Sequence, residues 1–197
     1  AARKAADAAR LEASGDYLQA ESLYQQALAT RREVLGEKHP DSLASLNALA
    51  MLYYLLGDYG RAEPLLVEAE KTAKEVYGPR HLEYAVYLNN LGLLDQARGN
   101  YARAEPLFHQ ALEVCRVAGA AGSSVHLVTL NNLAGLYYSL GDQLQAEAML
   151  ERVVAISKQV DGPKHPNYAT ALNNLAGLYY SRADYRRAEP LFQQAWD

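Results

Sequence analysis

Cysteine is nearly absent from this sequence of 197 residues: Cys115 stands alone, so no disulfide can form within the chain. A lone thiol fits a reducing compartment, and a cytoplasmic location is the expectation. Long apolar runs are missing as well. The longest, Ala48 to Leu56, falls well short of the roughly 20 residues that a membrane-spanning helix needs, so no membrane is implicated. No basic segment followed by a hydrophobic one opens the sequence. Positive charge is not in excess, because 19 Lys and Arg face 23 Asp and Glu for a net charge of −4. That balance removes the electrostatic reason to expect nucleic acid as a partner. The patterns G-x-x-x-x-G-K, G-x-G-x-x-G, G-x-S-x-G and H-E-x-x-H do not occur, so nothing points to a cofactor, and no catalytic residue stands out.

What the sequence has is repetition. Leu130 to Ser139 returns unchanged as Leu172 to Ser181, 42 positions later. The same step carries Gly15 to Gly57, Gly99 and Gly141, and Ala20 to Ala62, Ala104, Ala146 and Ala188. It also carries Arg-Ala-Glu-Pro-Leu from Arg61 to Arg103 and Arg187. A fixed period of this length marks a solenoid, in which each unit buries its apolar face mainly against its neighbours. With half of its residues apolar, the chain can bury enough surface to fold. It begins at Ala1 and stops at Asp197 inside a helical pattern, so it is expected to be a piece of something longer.

One repeat shows how the unit is built. His39-Pro40-Asp41 opens a helix, since proline suits the first turn and aspartate favours its positive end. Leu46, Leu49, Ala50 and Tyr53 follow at i, i+3, i+4 and i+7, a single apolar stripe. Gly57-Asp58 ends that helix, a second carries Ala62, Leu65, Leu66 and Ala69 inward, and Gly78-Pro79 closes it. The alanines and glycine at 50, 92, 134 and 176 let the two helices approach closely. Carried along the chain, the registers predict first helices at about 1–14, 41–56, 83–98, 125–140 and 167–182, and second helices at about 17–35, 59–77, 101–118, 143–160 and 185–197. Pro64, Pro106 and Pro190 sit inside second helices, where a bend is expected.

The combination Leu-Asn-Asn-Leu-Ala, Leu-Tyr, Gly-Asp-Tyr and Ala-Glu-Pro-Leu resembles tetratricopeptide repeats. The 42-residue step with His-Pro-Asp ahead of the first helix is similar to the variety in kinesin light chains and many bacterial proteins. The resemblance covers the whole chain. It implies an all-α, right-handed superhelix (an α-solenoid) forming one domain of five repeats, about 1–40, 41–82, 83–124, 125–166 and 167–197. It also implies a non-catalytic scaffold for a peptide or protein partner, held on a concave face lined by the first helices.

Charge is missing where that face should lie. No Asp, Glu, Lys or Arg occurs from Ser42 to Gly57 or from Ser124 to Gly141, whereas the second helix from Asp58 to Tyr77 carries eight charged residues. Opposite the core stripe, the first helices carry Ala44, Asn47, Met51 and Tyr54; Val86, Asn89, Leu93 and Gln96; Val128, Asn131, Gly135 and Tyr138; and Thr170, Asn173, Gly177 and Tyr180. Asn47, Asn89, Asn131 and Asn173 form a row, one per repeat, with Asn90, Asn132 and Asn174 beside three of them. Asparagine is a mediocre helix former, yet its amide offers a donor and an acceptor to a passing peptide backbone. The same amides could instead bridge adjacent helices. Basic clamp residues are absent from the centre of this face, unlike the tetratricopeptide domains that hold acidic chaperone tails.

Other residues carry plainer expectations. His39, His81 and His165 recur at multiples of the period, too far apart for one metal when helix axes pack 8–10 Å apart, so no metal site is expected and they read as helix-entrance residues. Cys115 is expected to be a half-buried structural thiol. Asp95 takes the core-stripe position of Tyr53, Tyr137 and Tyr179, and Arg98 is its expected partner. The surface around Leu191, Phe192 and Trp196 is expected to be exposed and to support end-to-end self-association. A self-associating array, or a regulatory module of a larger multidomain enzyme, is the alternative reading.

Overall fold

The computed structural model describes residues 1–196, and within them the chain forms ten helices and no strand. These are α1 (Ala2–Ala13), α2 (Tyr17–Leu35), α3 (Pro40–Leu55), α4 (Tyr59–Tyr77), α5 (Leu82–Ala97), α6 (Tyr101–Val117), α7 (Ser124–Ser139), α8 (Gln143–Val160), α9 (Pro166–Ser181) and α10 (Tyr185–Trp196). Each boundary falls within a residue or so of its predicted place. The chain is an all-α solenoid of helix–turn–helix repeats. It gathers into two compact units, Ala1–Leu107 and the residues from Phe108 onward. In the first, α1 to α5 pack in consecutive order; in the second, α7 to α10 do the same. No helix among the described residues is long and apolar enough to cross a membrane.

Local chemistry explains where helices start and stop. The Nδ1 atoms of His39, His81 and His165 accept hydrogen bonds from the backbone N–H groups of Asp41, Glu83 and Asn167 at 3.1, 3.2 and 3.1 Å. Each histidine is thus an N-cap that satisfies an orphan donor. Before α7 the pattern changes: Ser123 caps the helix, and His126 turns back so that its Nδ1 accepts from Gly122 N–H at 3.1 Å. Between paired helices the chain enters the left-handed region at Gly15, Gly57, Gly99 and Gly141, and at Ala183, whose φ is 57°. Helices α4, α6 and α10 continue unbroken past Pro64, Pro106 and Pro190.

The alanines at the crossings are fully enclosed: Ala50, Ala62, Ala104 and Ala176 have no exposed surface. Cys115 is wholly rather than half buried, and burial pushes its thiol up from the ordinary value.

Successive repeats are also tied by a polar clip built from the glutamate of Ala-Glu-Pro-Leu and its equivalents. In the second unit, Glu147 accepts from Tyr179 Oη at 2.9 Å, Arg182 Nη1 at 2.5 Å and Arg187 Nη1 at 2.6 Å. The Arg187 guanidinium lies over the Tyr179 ring, 4.1 Å from its centre, and its Nε bonds Asp184 at 2.5 Å. Glu21, Tyr53, Arg61 and Asp58 repeat the arrangement in the first unit.

Asp95 shows how the clip survives a substitution. Arg98 is not its partner, contrary to expectation, because Arg98 reaches back to Glu63 across the repeat. The Asp95 carboxylate instead accepts from Asn100 Nδ2 at 3.3 Å, and its other oxygen lies 3.4 Å from Arg103 Nε. That second contact is an ion pair without hydrogen-bond geometry. Where tyrosine is replaced by Asp95, the capping aspartate is replaced by Asn100. The carboxylate has moved five positions, and the arginine keeps a counter-charge.

Candidate functional site

In the second unit, α8 packs against both α7 and α9 and forms the floor of a trough between them. Ala146, Leu150, Val153 and Ser157 make that floor, at i, i+4, i+7 and i+11 on one face of α8. One wall is the stripe of α7 from Ser124 through Asn131 to Tyr138, and the other is the stripe of α9 from Asn167 through Asn174 to Ser181. Asn131 lines both halves, a chamber of about 540 Å³ on the Tyr138 side and one of about 190 Å³ on the Ser124 side. None of the lining residues is Asp, Glu, Lys or Arg.

Asn131 stands between the chambers because it is bonded there. Its Oδ1 accepts from Asn174 Nδ2 at 3.0 Å, and its Nδ2 donates to the Leu127 carbonyl at 3.0 Å. The first unit contains the same crosspiece, with Asn90 Nδ2 donating to Asn47 Oδ1 at 2.9 Å and Asn89 Nδ2 to Asn90 Oδ1 at 3.3 Å. The two predicted rows are therefore joined diagonally, from the first asparagine of one repeat to the second asparagine of the next. Asn89 and Asn90 are buried and Asn132 is half-buried, whereas Asn173 and Asn174 are exposed. Asn173 lines the larger chamber and is the exposed member of its row.

The remaining face residues divide in the same way. Tyr138 lines the larger chamber and is 48% exposed. Tyr180 is exposed too, its ring 5.3 Å from Tyr185 and 6.5 Å from Phe192. In the first unit Tyr54 is half-buried beside Tyr59, and Met51, Leu93 and Gln96 are half-buried. Met51 and Leu93 stand where the second unit has Gly135 and Gly177. Glycine thus opens the wall at positions that carry bulky side chains two repeats earlier. A Cβ added at Gly177 would meet nothing within 4 Å, so the packing of the fold does not demand glycine there.

The walls of this trough are legible in the sequence, but its floor is not. Leu150 and Ser157 lie on a second helix, and the core stripe of that helix gave no reason to separate them from ordinary packing residues. The Met51/Gly135 and Leu93/Gly177 contrasts were the signal that could have marked where the trough opens. Beyond this face, Phe192 and Trp196 are exposed and Leu191 is half-buried.

Comparison with known proteins bears on the chain as a whole. The tetratricopeptide repeat family profile matches residues 8–75, 57–117 and 125–197. Among solved structures, BtubC (BKLC) from P. vanneervenii shares 30% identity over 95% of this chain and 75% of its own, with a TM-score of 0.77. A Podosopora anserina protein described as a kinesin light chain of nearly identical TPR-like repeats shares 25% identity over 98% of this chain and 92% of its own, also at 0.77. A Rap protein complexed with competence and sporulation factor has the same fold, with a TM-score of 0.79 at 18% identity over 98% of this chain and 52% of its own. No curated protein matches the chain. The profile and the BtubC likeness agree with the helix pairs and their period: the chain belongs to the tetratricopeptide repeat family.

Proposed function

We propose that this protein is a non-catalytic scaffold that holds an extended, uncharged peptide segment of a partner protein in the trough of its second unit. Asn173 offers its amide to the ligand backbone, Tyr138 flanks it, and the larger chamber over Leu150 takes an apolar side chain. The Asn131–Asn174 crosspiece holds the walls at their separation. An uncharged trough gives nothing to a strongly acidic or basic ligand, whose desolvation would go uncompensated.

One observation carries this reading. Gly177 lies in the middle of α9 and is exposed, where glycine costs roughly 0.5–1 kcal/mol relative to alanine. Nothing in the fold requires it, but an open chamber does. The fold itself accommodates a bound molecule elsewhere, as in the Rap complex with competence and sporulation factor.

Gly177→Leu tests the proposal, because it places in α9 the residue that α5 carries at Leu93. Peptides selected by random-peptide display on the immobilised protein serve as probes. The variant is expected to melt no lower than the parent and to lose peptide binding. Parent affinity should change little between low and high salt, since no charged group lines the trough. Undiminished binding by Gly177→Leu would overturn the proposal.

A further inference from the structure

The smaller chamber has on its floor a residue whose polar atom the fold leaves unsatisfied. Ser157 is 1% exposed, and its hydroxyl has no hydrogen-bond partner. The residue nevertheless sits on the chamber floor, among Leu127, Val153 and Ala171. Buried polar groups are nearly always satisfied, and an orphan in a native fold calls for a cause. Packing does not supply one: two repeats earlier the same register holds Ala73, which is fully enclosed. Tyr87 stands in that earlier repeat where Ala171 stands here, so the chamber beside Ser157 is lined by a small side chain where that repeat carries an aromatic one.

We infer that the smaller chamber is a polar subsite, which takes the hydroxyl or amide tip of a ligand side chain standing three residues from the apolar side chain in the larger chamber. The inference rests on the peptide-binding reading above. As it stands Ser157 Oγ is closed to solvent, so a turn about χ1 brings it to the chamber. A hydroxyl is both donor and acceptor, and a Ser, Thr, Asn or Gln side chain can satisfy it there while its carbons cover Leu127 and Ala171. The spacing follows from the walls. The α7 stripes of the two chambers, 124–131 and 131–138, are centred about seven residues apart, which is about 10 Å along the helix. An extended chain covers that distance in about three residues. In the polyproline II conformation three residues complete one turn, so both side chains face the same wall. The ligand therefore runs along α7 and α9 and passes over the asparagine crosspiece.

The test uses a positional-scanning library of acetylated, amidated, uncharged octapeptides against the parent protein and Ser157→Ala. Binders are expected to pair a bulky apolar residue with Ser, Thr, Asn or Gln three positions away. Ser157→Ala should weaken those peptides about three- to tenfold, the worth of one hydrogen bond. It should leave counterparts with alanine at the polar position unchanged. The variant should melt at or above the parent temperature, since it removes an unsatisfied buried group. Binders that Gly177→Leu abolishes but Ser157→Ala leaves unaffected would overturn the subsite and spare the peptide reading. If no octapeptide binds the parent, both fall.

Discussion

Replacing Asn131 and Asn173 separately by alanine should give opposite results, although both stand at one register. Asn131 loses two hydrogen bonds, one from Asn174 and one to the Leu127 carbonyl. At a half-buried site each is worth about 0.5–1 kcal/mol net, and alanine returns about 0.6 kcal/mol as the better helix former. The expected loss is about 0.5–1.5 kcal/mol, a fall of roughly 1–5 °C in a chain of this size. Asn173 is exposed and lines the chamber, so Asn173→Ala should keep or slightly raise the melting temperature. Its peptide affinity should fall about three- to tenfold if one backbone hydrogen bond is lost. Calorimetry and a fluorescence binding titration on the same samples read both quantities. Equal loss of stability in the two variants, with no change in affinity for Asn173→Ala, would refute the assignment of one asparagine to the fold and the other to the ligand.

Three further outcomes follow from the turns and clips. Asp95→Tyr alone restores the tyrosine of neighbouring repeats but removes the nearer of Arg103's two carboxylates, leaving Glu63 at 4.0 Å, and should destabilise by about 0.5–1 kcal/mol; adding Asn100→Asp should recover most of that, a coupling that denaturant titrations would detect. Ala183→Gly relieves a left-handed alanine and should stabilise by about 1 kcal/mol in the same assay. Burial works against ionised Glu147, but Arg182, Tyr179 and Arg187 together hold its carboxyl below the ordinary range. Its folded value is depressed, so its stabilisation is present above the ordinary glutamate pKa of about 4.3 and fades as pH falls through the folded value. Glu147→Gln should therefore be less stable than the parent at pH 7, with the gap closing on acidification in a pH series of thermal melts.

Much of the fold was legible because the period fixes helix after helix once one is read. His39-Pro40-Asp41 and Gly57-Asp58 mark ends through capping chemistry, which is local. The asparagine rows were legible for the same reason, since helical register places Asn131 and Asn173 on one face. What each amide bonds was not legible. It depends on how far successive first helices stand apart and rotate, so the diagonal Asn131–Asn174 and Asn47–Asn90 pairs emerged only in three dimensions. Arg98 was misassigned to Asp95 for a related reason: an i, i+3 neighbour is visible in sequence, whereas Glu63 on the preceding repeat is not. The exchange of Asp95 with Asn100 was visible, and comparison across the repeats would have pointed to Arg103.

If the open trough between α7 and α9 receives the ligand, chemical-shift mapping during a peptide titration will locate it there. The predicted result is a cluster of perturbed resonances at the Gly135 and Gly177 amides, the Asn173 side-chain amide and Ser157, with the exposed Glu151 and Arg152 on α8 unmoved. Saturable binding that leaves Gly177 and Asn173 unperturbed and moves resonances elsewhere would contradict it.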